Sequence, residues 1–469
     1  MPTRKGTRKP VGKKSTEGTA TYAKKYASMM KNSKAEYMRA RNFLPGGVES
    51  NFRHLDPFPF YAARADGSRI YDIDGNEYID FLLSQGAILF GHRKREIEKA
   101  VTQQLKKGAN TAIPTELCAD VARMISCYVP SVRLLRFANS GTEATMHALR
   151  TARGFTGKDK IAKPEGGYHG MHDYVLWSIW APKMRGSKKR PEPTPFSRGV
   201  PEAVAKTVIV FPFNDIEATY DILHKERDNL AAVITEPVMA NVGCLVPRDS
   251  YLGELRKICS ELGILLILDE VITGFRLARG GAQEVFKVKP DLTTFGKALG
   301  GGFQMAAFGG RKDVMTELLS SDDTWPPKEW PMKTYHAGTY SAHPVSLAAS
   351  GAALRLMADD RVYSRLRRIS ETFYPGLQQL IEDRRITAHV AACGSMGHIY
   401  FGAREVRTVR EALNTRWDVL GEWGMECLVR GMLFGHPKGE KMFISTAHTR
   451  GDIEMALEVA DSGFHAIRL

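Results

Sequence analysis

Short continuous runs of Leu, Ile, Val and Ala recur through the middle of the chain, each bounded by polar or glycine-rich segments. They predict strands at Leu134–Ala138, Lys160–Ala162, Thr207–Phe211, Ala231–Thr235, Leu265–Asp269, Leu292–Phe295 and Ala306–Phe308. Runs without alternation suit strands buried on both faces. Long amphipathic stretches such as Tyr251–Leu262 separate several of them, and such alternation predicts an α/β fold with a mainly parallel sheet covered by helices. Ahead of this region, RADGSRIYDIDGNEYIDF alternates apolar and polar positions around Asp66-Gly67 and Asp74-Gly75, which predicts hairpins. Spacing of Tyr, Ala and Met predicts a helix from Tyr22 to about Arg41, ending at Pro45-Gly46-Gly47. After Pro344 an Ala-rich helix leads into an α+β tail. Two irregular stretches, Trp177–Pro201 and Ser320–Met332, interrupt the pattern, and loops of that length tend to carry function or disorder.

With 469 residues, 43% hydrophobic and 25% charged, the chain has the balance of a soluble globular protein. No apolar run is long enough to span a bilayer, and no signal-peptide pattern is present. Six scattered cysteines without a CxxC pair predict buried thiols rather than a zinc site or disulfide framework, and with that a reducing cytoplasm. The net charge of +14 raises the question of nucleic acid. Met1–Arg41 holds twelve Lys/Arg against two acids, while the other 428 residues carry 54 bases and 50 acids. The basic character therefore belongs to an N-terminal arm, residues 1–20, expected to be a disordered solvated tail. Without aromatics among its first charges the arm weighs against RNA binding.

Three segments carry chemistry. LLILDEVITGFR (Leu265–Arg276) delivers Asp269 and Glu270 to the end of an apolar run, and PDLTTFGKALGGG (Pro290–Gly302) presents Lys297 beside a glycine cluster. A lysine that can form an imine and a buried acid that can hold a protonated ring nitrogen are what pyridoxal phosphate chemistry requires. The alternative for Asp269 is a structural ion pair with Arg276 or Lys297. RFANSGTEATMHALR (Arg136–Arg150) reads as strand, tight turn and helix, where exposed amides with Ser140 and Thr142 make an anion pocket, or simply a helix cap. Tyr168 in YHG offers an aromatic face to a ring or to packing, and Val271 stands to cover the opposite face. GKALGGG lacks the GxxxxGK[ST] spacing of a nucleotide-binding loop.

In this order the segments resemble those of the class III aminotransferases, fold-type I pyridoxal phosphate enzymes, and within them the glutamate-1-semialdehyde 2,1-aminomutase subgroup. The likeness runs from about Leu44 to the C-terminus. It is carried by LPGGVES, YDIDGNEYIDF, FGH, NSGTEA, YHG, TEP, LDEVITGFR, PDLTTFGKALGGG, GGR, AGTYSAHP and STAHT. It implies a large cofactor-binding domain over 96–344 and a smaller α+β domain built from both chain ends, 21–95 and 345–469. Lys297 is implied as the Schiff-base lysine and Asp269 as partner of the pyridine nitrogen. Ser140, Gly141 and Thr142 would hold the phosphate, with Tyr168, His169, Glu236 and Val271 also at the cofactor. Thr339 would reach the phosphate from the neighbouring subunit, making the active unit a homodimer with shared sites.

Ser50 and Arg53 match positions that meet the substrate carboxylate, which an arginine fork suits; the alternative is a surface Arg53 near a turn. Glu440 matches an acidic position near that site. The chain departs from the aminomutase pattern at Gln85, where a tryptophan is usual, at His343-Pro344, and in the loop WSIWAPKMRGSKKRPEPTPF. Trp177 and Trp180 there either line a bulkier pocket or pack the loop. The leading expectation is intermolecular transfer between an amino acid or β-amino acid and a carbonyl acceptor. Alternatives are the aminomutase reaction and, from the glutamine at position 85, pyridoxal phosphate-dependent decarboxylation.

Overall fold

Seven strands build the central sheet of the computed structural model, which describes residues 19–181, 183–318, 333–436 and 441–467. Three strands precede them: β1 (Ala62–Asp66), β2 (Arg69–Asp72) and β3 (Glu77–Asp80). The central strands are β4 (Leu134–Ala138), β5 (Lys160–Pro164), β6 (Val208–Phe211), β7 (Leu230–Thr235), β8 (Leu265–Glu270), β9 (Leu292–Phe295) and β10 (Ala306–Gly310). Their order is β4-β10-β9-β8-β7-β5-β6; β10 runs antiparallel to both neighbours and every other pairing is parallel. All seven predicted strands are present, within two residues at either end.

Alternation along β8 shows why a continuous apolar run was required. Leu265 and Ile267 pack into one cluster with Ala144, Ala148 and Ala152 of the helix Gly141–Thr156. Leu266 and Leu268 pack into another with Leu252 and Leu255 of the helix Tyr251–Glu261. Both faces are dry, so every position of the strand is buried, and each such side chain contributes about 2 kcal/mol.

The remaining strands are β11 (Ala388–Cys393), β12 (Met396–Phe401), β13 (Met432–Leu433) and β14 (Met442–Phe443). β13 pairs parallel with β3 and extends the β1-β2-β3 hairpins, while β11-β12-β14 form a second small sheet. Tyr26 and Met30 pack with Met425, Leu428 and Leu433, so the smaller α+β part is built from both chain ends. The helix expected over Tyr22–Arg41 is two helices, Thr19–Met29 and Lys31–Ala40. They break at Met30 (φ −107°, ψ 49°), where the amides of Asn32 and Ser33 bond to the Asp74 carboxylate.

The expectation of six buried thiols holds for Cys244, Cys259 and Cys427; Cys118 and Cys393 are half-buried, and Cys127 is exposed. Cys127 lies on the outward face of the helix Glu116–Tyr128, whose inward face carries Val121 and Ile125. Residues 1–18 of the basic arm and the whole of the Ser320–Met332 stretch lie outside the described residues. Among the described residues no helix is long and apolar enough to cross a membrane.

Candidate active site

The carboxyl ends of β4, β5, β7, β8 and β9 meet at one edge of the sheet, the edge where open α/β sheets place their ligands. A cavity of about 310 Å³ opens there. Ser140, Gly141 and Thr142 line it from the turn after β4, and Tyr168 and His169 from the turn after β5. Glu236 follows β7, Asp269 and Val271 come from the end of β8, and Lys297 follows β9. Every one of the nine was singled out from the sequence for the cofactor.

Register explains the convergence. In β8 and β9, Asp269 pairs with Thr294, and Thr294 Oγ1 donates to Asp269 Oδ1 at 3.0 Å. The amide of Val271 donates to the same oxygen at 3.2 Å, while His169 Nδ1 stands 2.7 Å from Oδ2. Three contacts leave a carboxylate room for one more donor, here from the cavity side. Arg276 and Asp269 do not pair, because the guanidinium is held elsewhere by Gly86, Ser395 and Ile444. The adjacent Glu270 faces the other way and binds Thr273, Ala282 and Gln283. The pair read from the sequence is therefore split, one acid to the cavity and one to the scaffold.

Lys297 opens a short 3₁₀ turn, Lys297–Gly300, with φ 44°. A non-glycine residue in the left-handed region is disfavoured and persists where its surroundings hold it. Val271 is wedged beside two glycines: a Cβ at Gly141 would lie 3.0 Å from Val271 Cγ1, and one at Gly296 3.2 Å from it.

Ser140 caps the helix Gly141–Thr156, accepting from the Glu143 amide at 3.2 Å. The amides of Gly141 and Thr142 open the helix, where no intrahelical carbonyl can meet them, and both residues line the cavity at the favourable end of the helix dipole. Thr142 Oγ1 accepts from the Met171 amide at 3.2 Å, which leaves its own proton to donate. Gly170, at φ +102°, allows this approach: a Cβ there would stand 2.6 Å from Thr142 Cα.

Glu236 is buried, and its oxygens accept from the amides of Tyr168 (2.9 Å) and Ala240 (3.1 Å) and from Asn241 Nδ2 (3.1 Å). Burial pushes its carboxyl above the usual carboxylate range, opposed by His169 and these amides. Burial, with Asp269 and Glu236 nearby, pushes the Tyr168 phenol up. His169 Nε2 is buried without a partner among the described residues.

Other expected residues stand apart from the cavity. Arg53 is exposed and pairs with Glu49, and Ser50 is exposed beside it. Thr339 is exposed, its carbonyl accepting from Asn110. Gln85 lies in a turn that packs against Lys297–Gly300 without lining the cavity. Glu440 lies outside the described residues. The two tryptophans divide: Trp177 is core, bonded to the Asp173 carbonyl, whereas Trp180 is partly exposed and donates to the Asn241 carbonyl at 2.7 Å. His343 precedes Pro344, the first residue of the helix Pro344–Met357.

Sequence reasoning missed Asn139, Asn241, Phe303, Gln304 and Met305, which also line the cavity. Asn139 adjoins the SGT turn and follows an already recognised strand. Asn241 lies five residues beyond Glu236 in a loop with no motif of its own. Lys163 was also missed: it is fully buried in β5, donating to the carbonyls of Trp177 (2.7 Å) and Pro164 (3.1 Å), and burial lowers its pKa to about 7. A lysine inside an otherwise apolar run was the available signal.

The residues fit pyridoxal phosphate: amides and hydroxyls at a helix start for the phosphate, an acid with one place left for a ring nitrogen, an aromatic face, and an amine opposite. The model of the family described as Aminotransferase class-III matches residues 52–428. The glutamate-1-semialdehyde 2,1-aminomutase of Archaeoglobus fulgidus is 42% identical over 426 residues, 91% of this chain and 97% of that one. That of Methanosarcina acetivorans is 42% identical, with 91% and 96% covered. Among solved structures, an omega-transaminase from Sphaerobacter thermophilus is similar with a TM-score of 0.86 and 34% identity, covering 92% of this chain and 97% of that one. With these likenesses spanning both the fold and the cavity, the chain belongs to the class III aminotransferases, fold-type I enzymes that use pyridoxal phosphate.

Proposed function

We propose that this enzyme moves an amino group within a single substrate, glutamate 1-semialdehyde, as the named aminomutases do. The observation that carries the proposal is the 42% identity to the Archaeoglobus fulgidus aminomutase along nearly the whole of both chains. This reading displaces the two-substrate transfer that the motifs put first.

When bound, pyridoxal phosphate supplies an aldehyde for an amine and a ring that withdraws electrons from the carbon beside it. Ser140, Gly141 and Thr142 hold its phosphate. The Asp269 carboxylate, fixed by Thr294, Val271 and His169, keeps the ring nitrogen protonated. Tyr168 and Val271, which line the cavity, would cover the two ring faces and exclude water. Lys297 would hold the cofactor through its amine and, once free of it, would be the group placed to carry a proton as general base and acid. Glu236, clamped by two backbone amides, sets the Tyr168 loop. Arg53 serves the substrate carboxylate by exchanging Glu49 for it, with Ser50 beside it, and Gln85 serves the same end. Thr339 completes the phosphate site of a second copy, so the working unit is a homodimer.

A second reading, transfer between separate amino donor and carbonyl acceptor, is favoured by one observation. The Trp177–Pro201 loop is anchored to the cavity wall through Trp180 and Asn241, and a β-phenylalanine aminotransferase from Variovorax paradoxus shares the fold at 28% identity, TM-score 0.84, with 95% and 96% covered. Incubating the holoenzyme with glutamate 1-semialdehyde alone separates the two. Stoichiometric conversion to the 5-amino isomer without added acceptor is expected. Turnover only when a keto acid is supplied sinks the mutase reading, and release of carbon dioxide sinks both.

A further inference from the structure

Arg276 is a fully buried cation, and among the described residues no carboxylate forms an ion pair with it; the titratable groups acting on it are the phenols of Tyr374 and Tyr363. Its guanidinium donates to three groups from distant parts of the chain: Gly86 O at 2.6 Å, Ser395 Oγ at 3.1 Å and Ile444 O at 3.1 Å. Its Cζ stands 4.9 Å from the Phe443 ring centroid, and Nε has no partner. A buried charge held only by neutral groups is costly to keep, so its placement needs a reason.

The Gly86 carbonyl supplies one. Leu83, Ser84, Gln85 and Gly86 have φ of 47°, 51°, 61° and 83°, a full turn of left-handed backbone in which only the last residue is glycine. L-residues resist that conformation. Its own backbone bonds it, Gly86 N to Leu82 O at 3.2 Å, Ala87 N to Ser84 O at 3.3 Å and Ile88 N to Leu83 O at 3.1 Å; Asp80 Oδ1 accepts the amides of Leu82 and Leu83 at its start, and the Gln85 side-chain Nε2 is buried without a partner among the described residues. At its end the turn is fixed by Arg276 and by Phe443, whose ring lies 2.8 Å from where a Gly86 Cβ would stand.

The turn's other side packs against Lys297–Gly300, itself strained at Lys297. Leu83 shares an apolar cluster with Ile272 and Ala240, from the loops after β8 and β7, and Ile88 Cδ1 lies 2.9 Å from the Cβ position of Gly302.

We propose that Arg276 is a positioning residue for Lys297: by holding the Gly86 carbonyl it keeps Leu83–Gly86 in the left-handed turn that props the Lys297 turn, and so fixes where the lysine amine stands in the cavity. The proposal rests on Lys297 being the amine that bonds the cofactor. Arg276→Gln and the milder Arg276→Lys, which retains charge but loses the fork, test it.

Amide hydrogen exchange on the cofactor-free chain should speed up at Gly86–Ile88 by about tenfold or more in Arg276→Gln, while the amides of β5 and β7 stay unchanged. In the holoenzyme, kcat should fall by about tenfold with KM changed less than about twofold. The pH midpoint of the lysine-bound cofactor's absorbance should move as well. Arg276→Lys should lie between wild type and Arg276→Gln on each measure. Adding Ser84→Gly, which suits a left-handed position, should recover part of the kcat loss in Arg276→Gln.

A lowered melting temperature with unchanged kcat, absorbance midpoint and local exchange overturns the proposal and leaves Arg276 as domain glue. Borohydride reduction with peptide mapping decides the premise separately: cofactor trapped on another lysine means the Lys297 reading has failed, whatever Arg276 does.

Discussion

Replacing Lys163 by methionine separates the cost of a buried charge from the hydrogen bonds it makes. Lys163 lies in the dry interior of β5, with Glu236 and Glu165 as the nearest charges favouring its protonated form. Burial wins over both, and its pKa falls from the ordinary 10.5 to about 7. The unfolded chain thus keeps the proton up to the ordinary value, whereas the folded chain gives it up near neutrality. Between those limits folding releases a proton, so stability rises with pH, by up to about 1.4 kcal/mol per pH unit. Integrated from pH 7 to pH 9, with the rounding at the folded midpoint, wild type gains about 2 kcal/mol that the methionine variant does not. Below about pH 6 both states are protonated and the difference between the proteins is constant. Methionine leaves the Trp177 and Pro164 carbonyls without a lysine donor at every pH, so the pH-dependent part of the difference comes from the wild-type proton alone. For a chain of this length about 2 kcal/mol is worth about 2 °C in melting temperature. Calorimetric scans of both proteins at pH 6, 7, 8 and 9, at matched cofactor and protein concentration, should show wild type gaining on the variant above pH 7. A separation that stays flat across the series, or shrinks as pH rises, refutes the reasoning.

Lys297→Ala should abolish covalent cofactor attachment and lower turnover by about 10⁴-fold or more while leaving the fold intact; retention of a borohydride-reducible adduct would contradict it. Gly170→Ala forces a Cβ to within 2.6 Å of Thr142 Cα at a φ of +102°. It should destabilise the chain by about 2 kcal/mol or more and weaken cofactor retention, both read by melting with and without added cofactor. Thr339→Ala should loosen cofactor retention by about tenfold, one charge-assisted hydrogen bond. Hybrid dimers of Thr339→Ala with Lys297→Ala should regain one tight site each, because each such dimer pairs an intact Lys297 with an intact Thr339; hybrids no tighter than Thr339→Ala alone would mean that the threonine does not reach the neighbouring subunit's site.

What the sequence made legible follows from how each residue is held. Residues positioned by strand ends could be read because a parallel sheet converts linear order into a shared edge: Asp269 and Lys297 end adjacent parallel strands, and the Asp269–Thr294 pairing places them together. The same logic delivered Ser140, Tyr168 and Glu236. Residues positioned by loops could not be read this way. Asn241 reaches the cavity through the turn after Glu236, and Phe303 to Met305 through a glycine-rich return into β10, neither of which has a period to detect. Lys163 and Arg276 show a third case. Each is a charge inside an apolar environment, conspicuous in sequence, yet its partners are backbone carbonyls that no side-chain pattern announces. Arg53 shows a fourth, since in the single chain it turns to Glu49, and whether it turns to a substrate depends on an anion competing for its fork. The cavity residues at strand ends were thus readable because register fixes them, whereas Arg53 and Gln85 stand on turns that no register announces. That division predicts where variation between relatives should alter specificity without disturbing cofactor binding: at Arg53 and the Trp177–Pro201 loop, and not at the ends of β8 and β9.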